Sequence, residues 1–142
     1  MRLAYLRPLF LVVFAAIGRA QSERFSLVVH PSNPIESISP EEASRIFLKQ
    51  VKTWPMGLPI EVVDQHADSK LRAIFSRAVH GRSVPAIKSH WHKKIFTGRG
   101  LPPTELKSDV EVIRFVSSHP GGIGYISSRT STHTLKIVRL ER

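Results

Sequence analysis

The stretch Val62–Phe75, VVDQHADSKLRAIF, decides the fold class. Its apolar start is typical of the end of a β-strand, and its centre, DQHADS, is a short polar turn. Its last part has the periodicity of an amphipathic helix. A helix that begins just after a strand offers free backbone N–H groups to an anion. The stretch therefore leaves two alternatives open: an anion-binding turn, or a turn that only connects the strand to the helix.

Four segments, one of which overlaps this stretch, predict the strands of a sheet. RFSLVVH is rich in β-branched and aromatic residues, IEVVD leads into the polar turn, and LKIVRL alternates apolar and polar side chains. The glycine-rich turn PGGIGYIS leads into one more strand. The expected strands are 24–30, 60–64, 123–127 and 135–140.

N-terminal caps and apolar periodicity predict four helices. Ser39 with Glu42, and Ser108 with Glu111, have the spacing of a capping box, and Ser83 is a candidate cap. The apolar positions expected on buried faces are Ala43, Ile46 and Phe47 in the first helix; Leu71, Ile74, Phe75, Ala78 and Val79 in the second, which Gly81 ends; and Ile87, Trp91 and Ile95 in the third.

This alternation of strands and helices predicts an α/β fold with a mostly parallel or mixed sheet flanked by helices. The sequence contains no internal repeat and no linker that would divide it. Residues 21–142 are sufficient for one domain with its own core.

The first twenty residues have the pattern of a secretory signal peptide. Arg2 and Arg7 precede an apolar run, and Gly18 and Ala20 supply the small residues of a cleavage site before Gln21. A membrane anchor is the alternative, but the uncharged run is shorter than the roughly 20 residues that span a bilayer. We expect a signal peptide at 1–20, a domain at 21–142 and a periplasmic product.

The chain is basic, with a formal net charge of +10, and it contains no cysteine. Loss of the first twenty residues would leave +7. Such a charge attracts anionic solutes, envelope polymers or membrane surfaces, and export argues against nucleic acid as a partner. The basic residues are spread along the chain, which favours a solvated basic surface. Thiol chemistry and cysteine-ligated metals are excluded.

Three motifs together resemble a known family. RIFLKQVKTWPMGLPIEVVDQ, HWHKKIFTGRGLPP and HPGGIGYI are similar, in order and spacing, to segments of the phosphate-binding proteins of periplasmic ABC transporters. They are most similar to the short, single-lobe relatives of those proteins. The resemblance spans about residues 25–138 and implies a single lobe of the type II periplasmic-binding-protein fold. It implies a binding protein with no enzymatic activity and no cofactor.

The resemblance also implies a ligand site in the polar turn. Family members carry an arginine and a Ser-Gly-Thr run here, which grip phosphate. In this chain the arginine position falls near Asp64 or Gln65, Ser69 matches the serine, and Lys70 and Leu71 replace the glycine and threonine. The candidate ligand-binding residues are Gln65, Ser69, Lys70 and Arg72. The alternative is that Asp68 or Ser69 only caps the helix, with Lys70 and Arg72 in solvent.

Other motifs carry weaker functional signals. Two histidines flank Trp91 in HWH, but residues two apart point to different faces of a helix and do not share one metal ion easily. In GGIGY (121–125) the glycines precede a strand, whereas a phosphate loop precedes a helix, so a structural turn is favoured. The polar segment SSRTST (127–132) could line a site, but a solvated loop is the simpler interpretation. No spacing indicates a catalytic triad or a metal site.

These observations predict an exported solute-binding-type protein that binds phosphate or a similar small oxyanion weakly, for transport or sensing. Its partner would be a second lobe, a homodimer mate, or a membrane transporter or sensor. The alternative is an interaction module without a small ligand that recognises another envelope protein through its basic face or the TGRGLPP loop (97–103).

Overall fold

The computed structural model describes residues 24–142. Strands and helices alternate along them. In chain order the elements are β1 (Phe25–Val29), β2 (Ser37–Ile38), α1 (Pro40–Phe47), β3 (Glu61–Gln65), α2 (Lys70–Phe75), a π-helical turn (Ser76–His80), α3 (Val84–Phe96), β4 (Thr104–Leu106), α4 (Asp109–Ser118), β5 (Gly122–Ser127) and β6 (Lys136–Leu140).

The strands form one mixed sheet with the order β2-β6-β1-β5-β3-β4. β1 is antiparallel to both of its neighbours, β5 and β6, whereas β3 is parallel to both β4 and β5. The predicted α/β fold with a mixed sheet is confirmed. β2 and β4 escaped prediction because two or three residues are too few to show an alternating pattern.

Apolar side chains cover both faces of the sheet. On one face Leu27 and Val29 of β1 join a cluster that includes Phe47 of α1 and Phe75 of α2. On the other face Val28 packs with a second cluster, which α4 covers through two buried valines, Val112 and Val116. Strand side chains alternate between the two faces, so β1 contributes to both clusters. The helices of the lobe therefore flank the sheet on both sides.

The helix caps largely match the sequence prediction. Ser39 and Glu42 form the full capping box, with reciprocal backbone-to-side-chain bonds of 3.1 Å. At α4 the box is incomplete: Ser108 accepts from the Glu111 N–H, but the Glu111 carboxylate accepts from the Lys107 N–H at 2.6 Å instead of from Ser108. The stripe predicted for α3 is wrong at its end, because Ile95 is exposed while Ile87 and Trp91 are buried.

The second predicted helix consists of two segments. α2 ends at Phe75 and continues as the π-helical turn to His80, and Gly81 then adopts the left-handed conformation with φ 63°. The Ser76 hydroxyl donates to the Arg82 carbonyl at 2.7 Å and ties this turn to the start of α3.

No helix within residues 24–142 is both long and apolar enough to cross a membrane. The predicted signal peptide at 1–20 lies outside the described residues.

Candidate functional site

The candidate site lies at the edge of the sheet where the parallel strands β3, β4 and β5 end. Gln65 is in register with Leu106 of β4, and Ser127 ends β5. α2 follows β3 and α4 follows β4 after short turns, so both helices begin at this edge. Ligands of open α/β sheets bind at the carboxyl ends of the strands. We call this region the sheet-edge site.

Arg72 is the cation of the sheet-edge site, and it is 5% exposed. Its guanidinium donates to the Gln65 carbonyl at 3.0 Å and forms a short ion pair with the carboxylate of Glu105. Its Nε lies 3.6 Å from Oδ1 of Asp64. Burial acts to lower the pKa of Arg72, but the two carboxylates outweigh that effect and raise it. The positive charge is therefore already shared between two acidic side chains of the protein.

Asp64 is buried next to Arg72, and its Oδ1 is hydrogen-bonded. Its Oδ1 accepts a short hydrogen bond from the Tyr125 hydroxyl and a 2.8 Å bond from the Gln65 N–H. Burial raises the pKa of Asp64 above its ordinary 3.8, while Arg72 acts in the opposite direction. Burial and the neighbouring Asp64 also raise the pKa of Tyr125, so its hydroxyl remains a donor. Asp64 is held in the protein interior and does not face a ligand.

Asp109 is a second carboxylate on which donors converge. Its Oδ1 accepts from Gln65 Nε2 at 2.8 Å, and its Oδ2 accepts from the Ser127 N–H at 3.1 Å and the Thr130 hydroxyl at 2.5 Å. Gln65 Nε2 also donates to the Tyr125 carbonyl at 3.1 Å. An amide, a backbone N–H and a hydroxyl directed at one point are the groups that bind a small oxyanion. Here the protein's own carboxylate is at that point.

The charges of the sheet-edge site are unfavourable for an anion. Asp64 and Glu105 face the buried cation Arg72, and a third carboxylate, Asp109, accepts from the side chain of Gln65. An incoming anion would meet these carboxylates, and the donors of Arg72 and Gln65 are already bonded to them. Like charges at a few ångströms cost several kcal/mol in a partly buried site, roughly 4 at 4 Å.

The structure separates the four sequence-predicted site residues. Gln65 and Arg72 belong to the buried network, whereas Lys70 is exposed. Ser69 caps α2, since its hydroxyl accepts from the Arg72 N–H at 3.4 Å. The capping alternative expected Arg72 in solvent, and that expectation is wrong, because Arg72 is needed to neutralise the buried Asp64.

Sequence reasoning missed the carboxylate partners of the site. Glu105 and Asp109 lie 33 and 44 residues from their partners Arg72 and Gln65. Thr130, which donates to Asp109, lies in the polar segment 127–132, for which a site lining was one of the two sequence interpretations. Glu105 and Asp109 themselves carried no sequence signal, because no local pattern marks a carboxylate as an internal hydrogen-bond acceptor.

The glycine-rich turn before β5 is a structural element. The Gly121 carbonyl accepts from the indole Nε1 of Trp54 at 3.0 Å and from the Glu61 N–H at 2.9 Å. A Cβ at Gly121 would lie 2.0 Å from the Pro59 carbonyl oxygen. Glycine is therefore required here by close backbone approach, and the backbone of the turn joins the Trp54 loop to the sheet.

The histidines of HWH do not share a surface. Trp91 is buried, His92 is exposed and His90 is half-buried. Within residues 24–142 no group of three or more His, Asp or Glu side chains could hold a metal ion.

A groove of about 970 Å³ lies between α1 and the π-helical turn. Ser44 and His80 are hydrogen-bonded there, with 2.7 Å between Ser44 Oγ and His80 Nδ1. Burial is the main cause that lowers the pKa of His80, to about 4. In the part of the chain that the structure describes, no carboxylate bonds to His80 to complete a triad. The pair thus links α1 to the turn.

Comparison with known proteins identifies the family. Residues 18–139 match the family described as a PBP superfamily domain. The chain belongs to this family. A comparison with curated proteins found no significant match.

Solved structures that resemble this PBP superfamily domain include phosphate receptors. An ABC-type phosphate transport receptor from Vibrio cholerae matches with a TM-score of 0.67 and 19% identity, over 84% of this chain and 47% of that one. A putative phosphate ABC transporter substrate-binding protein from Clostridium perfringens, solved with bound phosphate, matches with a TM-score of 0.66 and 17% identity, over 83% and 45%. PstS from Borrelia burgdorferi matches with a TM-score of 0.59 and 20% identity, over 84% and 47%. The chain thus spans about half the length of these structures, as a single lobe does.

Proposed function

We propose that this PBP superfamily domain is an exported, non-enzymatic interaction module of the cell envelope, and that it does not capture phosphate with high affinity. The observation that supports this most strongly is the occupied sheet-edge site. Asp109 takes the donors of Gln65, Ser127 and Thr130, and Arg72 is neutralised by two further carboxylates.

The size of the chain supports the same proposal. A small ligand bound tightly has most of its surface buried, usually in a cleft between two lobes. This chain has the length of one lobe of the receptors it resembles. A single anion at an exposed helix start gains only about 0.3–1 kcal/mol from the dipole. Tight capture would need a second surface, from a homodimer mate, a second lobe or a membrane protein.

Amide NMR shifts during a phosphate titration test the proposal. The protein would be the chain from Gln21 to Arg142, which contains all of the described elements. We expect no saturable shifts at Ser69–Arg72 or Ser127–Thr130 up to about 10 mM phosphate. A titration to this concentration would detect phosphate binding with a free energy as small as about 3 kcal/mol. We also expect an envelope protein to be retained by the immobilised domain. Saturation at micromolar phosphate would contradict the proposal.

A second candidate function is weak oxyanion binding at the start of α2, for transport or sensing. It is favoured by Lys70, an exposed cation that directly follows the Ser69 cap and is the first residue of α2. Localised millimolar shifts that disappear in Ser69→Ala with Lys70→Ala, but persist in the control Lys107→Ala, would establish this weaker function.

A further inference from the structure

The segment 69–104 is strongly basic. It holds eight Lys and Arg residues and no Asp or Glu, although the whole chain contains 11 acidic residues. Part of this charge lies at the C-terminal end of α3 and in the loop that follows. We call residues 93–101, KKIFTGRGL, the α3 tip. It is separate from the sheet-edge site, where carboxylates dominate.

The α3 tip also exposes large apolar side chains. Phe96 is 94% exposed, Leu101 is 68% exposed, and Ile95 is nearly half exposed. Single exposed apolar residues are ordinary on protein surfaces. Three lie within seven residues here, on a segment held by helix and loop hydrogen bonds, and such a concentration of exposed apolar side chains is typical of an interaction site.

A small cationic pocket lies beside this patch. Its volume is about 230 Å³, and it is lined by His90, Lys93, Lys94, Thr97 and Arg99. No carboxylate lines this pocket among the described residues. Its size is suitable for a phosphate group, and its donors are those that bind phosphate oxygens.

The backbone fixes two of these cations next to each other. Gly98 has a positive φ of 66°, its N–H bonds to the Ile95 carbonyl at 3.0 Å, and the Arg99 N–H bonds to the Lys94 carbonyl at 2.8 Å. This is a Schellman motif, in which the residues at the Lys94 and Arg99 positions usually make an apolar contact. In this chain both positions carry a basic residue, so the motif brings two cationic side chains to the same end of α3.

His90 supplies an independent sign of a ligand. Its Nε2 is buried and has no hydrogen-bond partner among the described residues. Burial, followed by Arg82, Lys94 and Lys93, lowers the pKa of His90, consistent with a cationic surrounding. Basic residues near a helix C-terminus interact favourably with the helix dipole, and this effect by itself could account for the presence of Lys93 and Lys94. The dipole does not explain the exposed Phe96 or the unpaired nitrogen of His90.

We propose that the α3 tip docks the protein on an anionic phospholipid bilayer. The cationic pocket would hold a headgroup phosphate, and Phe96 and Leu101 would enter the boundary of the acyl chains. Charge complementarity and the apolar patch together support this partner, because a phospholipid presents phosphate directly beside hydrocarbon. A free phosphate ion would leave the apolar side chains in water. The inference does not depend on what binds at the sheet-edge site.

Vesicle co-sedimentation tests the proposal. The chain from Gln21 to Arg142 would be mixed with phosphatidylcholine vesicles, with or without about one-third phosphatidylglycerol. We expect binding only to the anionic vesicles, and weaker binding at higher salt. Lys93→Ala with Lys94→Ala and Arg99→Ala should weaken it by about a hundredfold, at roughly fivefold per charge. Phe96→Ser with Leu101→Ser should weaken it by about tenfold or more.

Matched controls come from exposed residues elsewhere. Ile137→Ser removes another exposed apolar side chain, and Lys52→Ala removes another exposed charge, and neither should change vesicle binding. A fluorescent reporter tests insertion directly. Phe96→Trp should be quenched by brominated acyl chains, while the buried Trp54 and Trp91 should not. Equal binding to neutral vesicles, no binding to anionic vesicles, or unchanged binding in both tip variants would overturn the proposal.

Discussion

Asp109 determines what the donors at the sheet edge can bind. Three groups, from Gln65, Ser127 and Thr130, direct hydrogen bonds at its two oxygens. In a receptor for an oxyanion, such donors would have no protein acceptor and would bond to the ligand. In this chain one carboxylate, fixed at the first residue of α4, satisfies them all. A side chain therefore has the position that a free ligand would need.

Removal of that carboxylate should make the site responsive to anions. In Asp109→Ala the three donors lose their acceptor, and the free energy of unfolding should fall by about 2–3 kcal/mol. Phosphate or formate at tens of millimolar should restore part of the loss in a urea denaturation series. The control Asp68→Ala, an exposed carboxylate at the same edge, should show neither the loss nor the recovery. A recovery that is equal in both variants would show a general salt effect instead.

Arg72 is the residue on which the stability of the buried cluster depends. Arg72→Met leaves Asp64 and Glu105 without their cation, and the loss of one partner from a buried pair costs about 3–5 kcal/mol. Chemical denaturation measures this loss. Lys70→Met, on the same helix but exposed, should change stability by less than about 0.5 kcal/mol. If the two variants were equally stable, Arg72 would not be neutralising Asp64.

The turn before β5 shows how one element depends on close backbone approach. A methyl group at Gly121 would collide with the Pro59 carbonyl. The loop that contains Pro59 also contains Trp54, whose indole N–H donates to the Gly121 carbonyl. Gly121→Ala should therefore lower stability by about 3 kcal/mol, measured as a shift in the denaturation midpoint. Gly98→Ala, with a positive φ but nothing within 4 Å, should cost only about 1 kcal/mol. Equal losses would mean that backbone conformation, and not the collision, sets the requirement.

The π-helical turn should make stability depend on pH through His80. The pKa of His80 is about 4 in the folded protein and 6.5 in the ordinary case. Between these values His80 is protonated in the unfolded chain but stays neutral in the folded protein, which favours unfolding. Stability should fall as the pH drops from 6.5 to about 4, by roughly 2 kcal/mol after allowance for partial exposure. His80→Gln should flatten this slope in denaturation curves, and the exposed His92→Gln should not. A slope unchanged by His80→Gln would contradict the assignment.

Elements with strong local signals were predictable from the sequence, and those made by distant partners were not. The Ser39–Glu42 capping box, the Ser83 cap and the strand that ends in the polar turn each follow from a few neighbouring residues. The short strands β2 and β4 exist because adjacent strands pair with them. The π-helical turn, which buries Val79 and bonds to Ser44 through His80, lies in a stretch whose apolar periodicity predicts one continuous helix.

The candidate site was predictable only in location. The strand, turn and helix of Val62–Phe75 indicated the edge where ligands bind, and the structure has a polar cluster there. The same residues did not reveal that Asp109 and Glu105, from α4 and β4, reach back into the cluster. Whether an arginine binds a ligand or an internal acid depends on that tertiary contact.

At the scale of the whole molecule, the protein is one lobe of a fold that its relatives use in a chain about twice as long. Its two prominent surfaces differ in charge: the sheet-edge site is dominated by carboxylates, and the α3 tip by cations. The division agrees with the proposed module, in which the tip attaches to an anionic bilayer and the buried cation Arg72 at the sheet edge is already paired with carboxylates.

Calorimetric titration of phosphate into the chain from Gln21 to Arg142 measures whether the sheet-edge site can still take a ligand. Because Asp64, Glu105 and Asp109 already bond to Arg72 and the neighbouring donors, we expect no saturable heat up to about 10 mM phosphate. A saturable signal with a dissociation constant near 1 μM, equivalent to about 8 kcal/mol, would contradict it.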